Sequence, residues 1–73
     1  MGRFILWAIE LDAVEAVCSN LMKVALRCRG YKGICARHPV VYLLFDTQSD
    51  RDRAYTYLAE SYDCRVTKLY SEA

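Results

Sequence analysis

Phe4–Glu10 (FILWAIE) and Val40–Asp46 (VVYLLFD) decide the fold. Both segments are rich in aromatic and β-branched residues and free of Gly and Pro, which is strand composition. Side chains along a strand alternate between the two faces of its sheet. Glu10 and Asp46 belong to the even-numbered set, which sets the phase. The odd set, Ile5, Trp7, Ile9, Val41, Leu43 and Phe45, then faces a helical layer. The even set, Phe4, Leu6, Ala8, Val40, Tyr42 and Leu44, faces away from it. A half-covered antiparallel sheet normally alternates apolar and polar residues. These two segments are apolar in both sets, so the face without helices has an apolar centre whichever phase holds.

Working outward, a helix is expected over 13–29. Asp12 followed by Glu15 has the form of a capping box. Val14, Val17, Cys18, Leu21, Val24 or Ala25, and Cys28 recur at helical spacing. Lys23, Arg27 and Arg29 suit the carbonyl end of the helix dipole, and Gly30 is placed to end it. Tyr31–Arg37 (YKGICAR) is a second strand, and His38-Pro39 marks a turn. Thr47, Ser49 and Asp50 are candidate caps for a second helix over 50–62, with Ala54, Tyr55, Leu58 and Tyr62 as its inner stripe. Cys64–Tyr70 (CRVTKLY) is a last strand, and Ser71–Ala73 is a tail.

The order β-α-β-β-α-β is the split βαβ pattern of ferredoxin-like folds. The expected class is α+β, a four-stranded antiparallel sheet with two helices on one face. In it the two unbroken apolar strands are central. The strands carrying Lys32, Gly33, Arg37, Arg65 and Lys68 lie at the edges, where charge discourages stray pairing. With 73 residues, three Gly, one Pro, 55% apolar and 26% charged residues, the chain is expected to form one globular domain over 1–73. A domain this small hides only about 60% of the surface its unfolded chain exposes, so it benefits from a staple or a partner.

An uncovered face of six apolar side chains exposes several hundred Å², which monomers rarely keep without a use. The expected function is therefore that of a small non-enzymatic interaction module, an adaptor, inhibitor or regulatory subunit. It self-associates or binds a protein through Phe4, Leu6, Val40, Tyr42 and Leu44. Self-association ranks first, because homodimers are the commonest oligomers and have apolar interfaces. A protein partner ranks second and single-stranded nucleic acid third.

The third rests on two observations. No Asp or Glu occurs between Glu15 and Asp46, an interval holding Lys23, Arg27, Arg29, Lys32, Arg37 and His38. A local cationic patch of this kind attracts phosphates or an acidic partner. In addition, His38-Pro39-Val40-Val41-Tyr42-Leu43-Leu44-Phe45 resembles the first ribonucleoprotein signature of RNA-recognition-motif domains. The resemblance places Tyr42 at a base-stacking position, Phe45 at the buried final aromatic, and Ala54 at a small position in the next helix. It covers one octapeptide and the general topology. His38-Pro39 replaces the basic-Gly pair of that signature, and Val40 replaces its first stacking aromatic. On this alternative Arg27, Arg29, Lys32 and Arg37 contact the backbone and Tyr42 stacks on a base. The formal charge of +1 keeps it behind protein binding.

Chemistry beyond binding has little to draw on. Cys18, Cys28, Cys35 and Cys64 lack the short paired spacing of zinc sites, and no signal peptide or membrane span precedes them, so a cytoplasmic protein with reduced thiols and no metal or cofactor is expected. His38 has no evident nucleophile partner. A cleft for a small substrate is hard to form in so short a chain. Tyr57 and Arg53, on the second helix, are a candidate helix-side partner site.

Overall fold

The computed structural model describes residues 3–14 and 21–72. Its elements are β1 (Arg3–Asp12), α1 (Leu21–Leu26), β2 (Tyr31–Arg37), β3 (Val40–Phe45), α2 (Gln48–Leu58) and β4 (Cys64–Glu72). The strands form one antiparallel sheet in the order β2-β3-β1-β4. The uninterrupted apolar strands β1 and β3 are its centre. β2, with a bulge between Tyr31 and Gly33, and the charge-bearing β4 are its edges. Cys35 and Cys64 sit on these opposite edges.

The odd-numbered phase is the covered one. Ile9, Leu11, Val41, Leu43 and Phe45 join Leu21 and Ala25 of α1 and Ala54 and Leu58 of α2 in a single buried cluster. Both helices therefore press on the same face of the sheet. Phe45 is almost fully buried and meets the Tyr31 ring edge-on, with centroids 5.9 Å apart, a favourable aromatic arrangement.

Several boundaries differ from expectation. β1 runs on to Asp12, and Val14 N–H donates to Asp12 Oδ1 at 2.8 Å. Val14 is exposed, not part of the inner stripe; Val17, Cys18 and Glu15 lie outside the described residues. α1 stops at Leu26 rather than Arg29. Arg27 and Cys28 donate to carbonyls three residues back, Val24 and Ala25, a tightened turn that spends the last helical carbonyls. α2 begins earlier than expected and ends at Leu58. Of the three candidate caps, Thr47 is used, its hydroxyl accepting from Asp50 N–H at 3.1 Å. Ser71 and Glu72 extend β4 instead of forming a tail.

β1 pairs with β4 from Arg3 onward but with β3 only from Trp7 onward. The segments 3–6 and 69–72 consequently project past β3 as a two-stranded ribbon. Its exposed Phe4, Ile5 and Tyr70 show apolar side chains on both faces. Ile5, assigned to the covered set by phase, is exposed because it lies on this projection.

Arg51 is buried, which periodicity does not announce. It donates to the Thr67 carbonyl at 2.8 Å and to Asp52 Oδ1 through two nitrogens. Its guanidinium stands 5.2 Å from the Trp7 ring centroid, with Lys68 at 5.7 Å from the same ring. A buried charge persists only when paired and hydrogen-bonded, and the carboxylate, carbonyl and ring meet that need together.

Gly30 reverses the chain after α1 at φ +78°, and its carbonyl accepts from Asp46 N–H at 2.9 Å. A β-carbon there would run into the Asp50 carboxylate. Gly30→Ala is expected to destabilise the fold by about 1–2 kcal/mol from the left-handed conformation alone, with a further cost for displacing Asp50. Urea denaturation measures it through a lowered midpoint at unchanged slope; an unchanged midpoint would show that this turn bears no conformational constraint.

Candidate functional site

Register places the uncovered face residue by residue. Ala8 is opposite Leu44 on β3 and Thr67 on β4; Leu6 is opposite Leu69; Glu10 is opposite Tyr42 and Arg65; Cys35 is opposite Tyr42 and Arg37 opposite Val40. The face thus carries Phe4, Leu6, Ala8, Val40, Tyr42, Leu44 and Leu69 as a continuous apolar field. All five residues expected at a protein interface lie on it. Phe4 is 54% exposed, while Leu6, Val40, Tyr42 and Leu44 are half-buried. Ala8 is the exception, completely buried in the middle of the open face. Its one-carbon side chain lies below the larger neighbours of the adjoining strands.

The polar groups of this face collect at one end. Arg65 donates to Glu10 Oε2 at 3.2 Å, an exposed pair of small energetic weight. Arg37 stands 5.9 Å from the Tyr42 ring centroid, where a guanidinium and a ring attract. An apolar patch flanked by polar groups suits a protein interface, whose buried centre is apolar and whose margin is polar. Leu69, Thr67 and Arg65 were not among the expected residues. Alternation along β4, once its antiparallel pairing with β1 is assumed, is the signal that finds them.

The residues assigned to nucleic-acid contact divide among three places. Arg37 and Tyr42 share the uncovered face. Arg27 and Arg29 lie on the helix side, and Lys32 is exposed at the β2 bulge. Arg27 and Arg29 instead meet Arg53, Asp50 and Tyr57 of α2 around a groove of about 360 Å³, floored by Val24, Cys28 and Ala54. A cleft hard to form in so short a chain is therefore present. The helices make it: α1 ends early, and Gly30 turns the chain so that the α1 end and the outer flank of α2 form two walls. Arg53 and Tyr57, the candidate helix-side pair, line it together.

Cys28 also faces this groove. Burial pushes its thiol up from the ordinary range, and the thiol donates to the Val24 carbonyl at 3.6 Å. It is a protonated, weakly nucleophilic group at neutral pH. Cys64 is in the core and Cys35 is on the opposite face, so the three described cysteines do not converge. Among the described residues, no three His, Cys, Asp or Glu side chains gather as metal ligands, and no helix is long and apolar enough to cross a membrane.

No protein-family model, curated protein or solved structure matches this chain.

Proposed function

We propose that the chain is a ferredoxin-like, non-enzymatic interaction module that acts as a homodimer, with the uncovered sheet face as its interface. The element order and the strand order β2-β3-β1-β4 support the fold assignment, since the split βαβ pattern places its first and third strands centrally. The observation that carries the function is the apolar field of Phe4, Leu6, Val40, Tyr42, Leu44 and Leu69, six side chains that keep part of their surface exposed on the sheet face away from the helices.

A second copy is the occupant that fits best. Four strands about 4.8 Å apart and six to ten residues long give a footprint of roughly 20 by 20–30 Å. The accessible area of such a footprint, enlarged by its side-chain relief, is on the scale of the ~800 Å² per partner that specific dimers bury. Covering it at about 25 cal/mol per Å² is worth several kcal/mol. Charge also favours protein over nucleic acid. Of the two guanidinium groups on this face, Arg65 is already paired with Glu10 and Arg37 sits on Tyr42. Nucleic-acid binding needs cations free for phosphates, and Arg27 and Arg29 lie on the helix side, away from Tyr42.

Multi-angle light scattering over a concentration series tests the proposal. The expected result is a mass of about twice 8.4 kDa that falls toward one chain on dilution. A single-chain mass at every concentration, or saturable binding of single-stranded RNA that Tyr42→Ala abolishes, overturns it.

A further inference from the structure

We infer that the groove between the end of α1 and the outer flank of α2 binds a small phosphate monoester with an aromatic body, of which a nucleoside monophosphate is the simplest probe.

Three arginine residues line this groove, Arg27, Arg29 and Arg53. Among the described residues none of them makes an ion pair; the ion pairs found elsewhere use Arg51 and Arg65. Three cations drawn to one concavity repel each other unless an anion joins them. Their planar forks match the oxygens of a phosphate two at a time. The chain supplies one acidic side chain there, Asp50. Asp50 lies against Gly30, in space that any β-carbon at position 30 would take. The groove therefore keeps an excess of two positive charges over its one carboxylate.

The remaining walls specify the rest of the ligand. Tyr57 is 61% exposed and offers a ring at the rim for a flat group to stack on. Val24, Ala54 and the protonated Cys28 thiol give an apolar floor. Asp50 accepts a hydrogen bond from a hydroxyl or amino group of the ligand. The volume of about 360 Å³ lies in the range of small-molecule sites. An anion for the arginines, a ring for Tyr57 and a donor for Asp50 are combined in a nucleotide. A bare phosphate supplies only the first, and a nucleoside only the other two. The site is independent of the sheet face and lies on the other side of the molecule.

Titration of the 73-residue chain with adenosine monophosphate, adenosine, inorganic phosphate and a mixed single-stranded RNA, read by calorimetry, tests the assignment. Saturable binding of the monophosphate is expected, with adenosine and phosphate each at least about tenfold weaker. Arg27→Gln and Arg53→Gln are each expected to weaken the monophosphate by about tenfold or more, since each removes a charge-assisted contact. Tyr57→Ala weakens the monophosphate and leaves phosphate unchanged. All three side chains are exposed, so circular dichroism of the variants should match the parent. Leu44→Arg, on the opposite face, retains full binding, which separates this site from the dimer interface. Absence of saturable binding at millimolar monophosphate overturns the inference. So does affinity indifferent to Arg27→Gln and Arg53→Gln, adenosine or phosphate binding as tightly as the monophosphate, or RNA binding that tightens with strand length.

Discussion

Leu44→Arg is expected to convert the protein to a monomer at concentrations where the parent is a dimer, with the dissociation constant raised at least about 100-fold, or roughly 2.7 kcal/mol. Leu44 lies in the middle of the uncovered face, opposite Ala8 of β1 and Gly33 of β2. In a two-fold dimer each substituted position recurs on the partner, so two guanidinium groups are forced into one apolar contact. Each loses water there without gaining a counter-charge, and like charges meet across the interface. The substitution leaves the buried cluster untouched, since Leu44 has no part in it. Circular dichroism should therefore be unchanged while sedimentation velocity reports the lost dimer. A variant that sediments like a dimeric parent would place the interface elsewhere.

The second large effect concerns stability. Phe45→Ala is expected to cost about 3–5 kcal/mol, the lost burial of a large ring plus the cavity it leaves. A 73-residue chain at ~0.05–0.15 kcal/mol per residue has roughly 4–11 kcal/mol in total. The variant should thus melt more than about 10 °C below the parent. Phe45 is 1% exposed and holds the Tyr31 ring at 5.9 Å, so no neighbour can easily refill the space. Phe4→Ala is the control. Phe4 is 54% exposed, and its truncation should shift monomer stability by no more than about 0.5 kcal/mol. If both variants melt alike, Phe45 is not the keystone of the core. A melting temperature that rises with protein concentration, and ceases to do so in Leu44→Arg, would tie stability to assembly.

These two phenylalanines show where sequence reading holds and where it fails. Both stand in apolar strands, and alternation alone separates them into opposite faces. Glu10 correctly marked the uncovered face, where its carboxylate pairs with Arg65 and stays clear of the apolar cluster on the other side. The projection of the 3–6 and 69–72 ribbon was not legible. It follows from β3 ending at Phe45, opposite Trp7, a matter of register between distant strands. The early stop of α1 was hidden for a similar reason. Arg27 and Arg29 favour a helix end, but the turn they occupy is shaped by Gly30 packing against Asp50.

By itself the sequence determined the order of strands and helices, the central place of the two apolar strands and the set of side chains each face carries. Those properties follow from local periodicity and composition, which act between neighbours along the chain. Only the tertiary structure decided that Arg51 lies buried against Trp7, and that Arg27 and Arg29 join Arg53 and Tyr57 in one groove. Such meetings depend on how far each helix runs and where the chain reverses. Contacts between residues two dozen positions apart leave no period in the sequence to read.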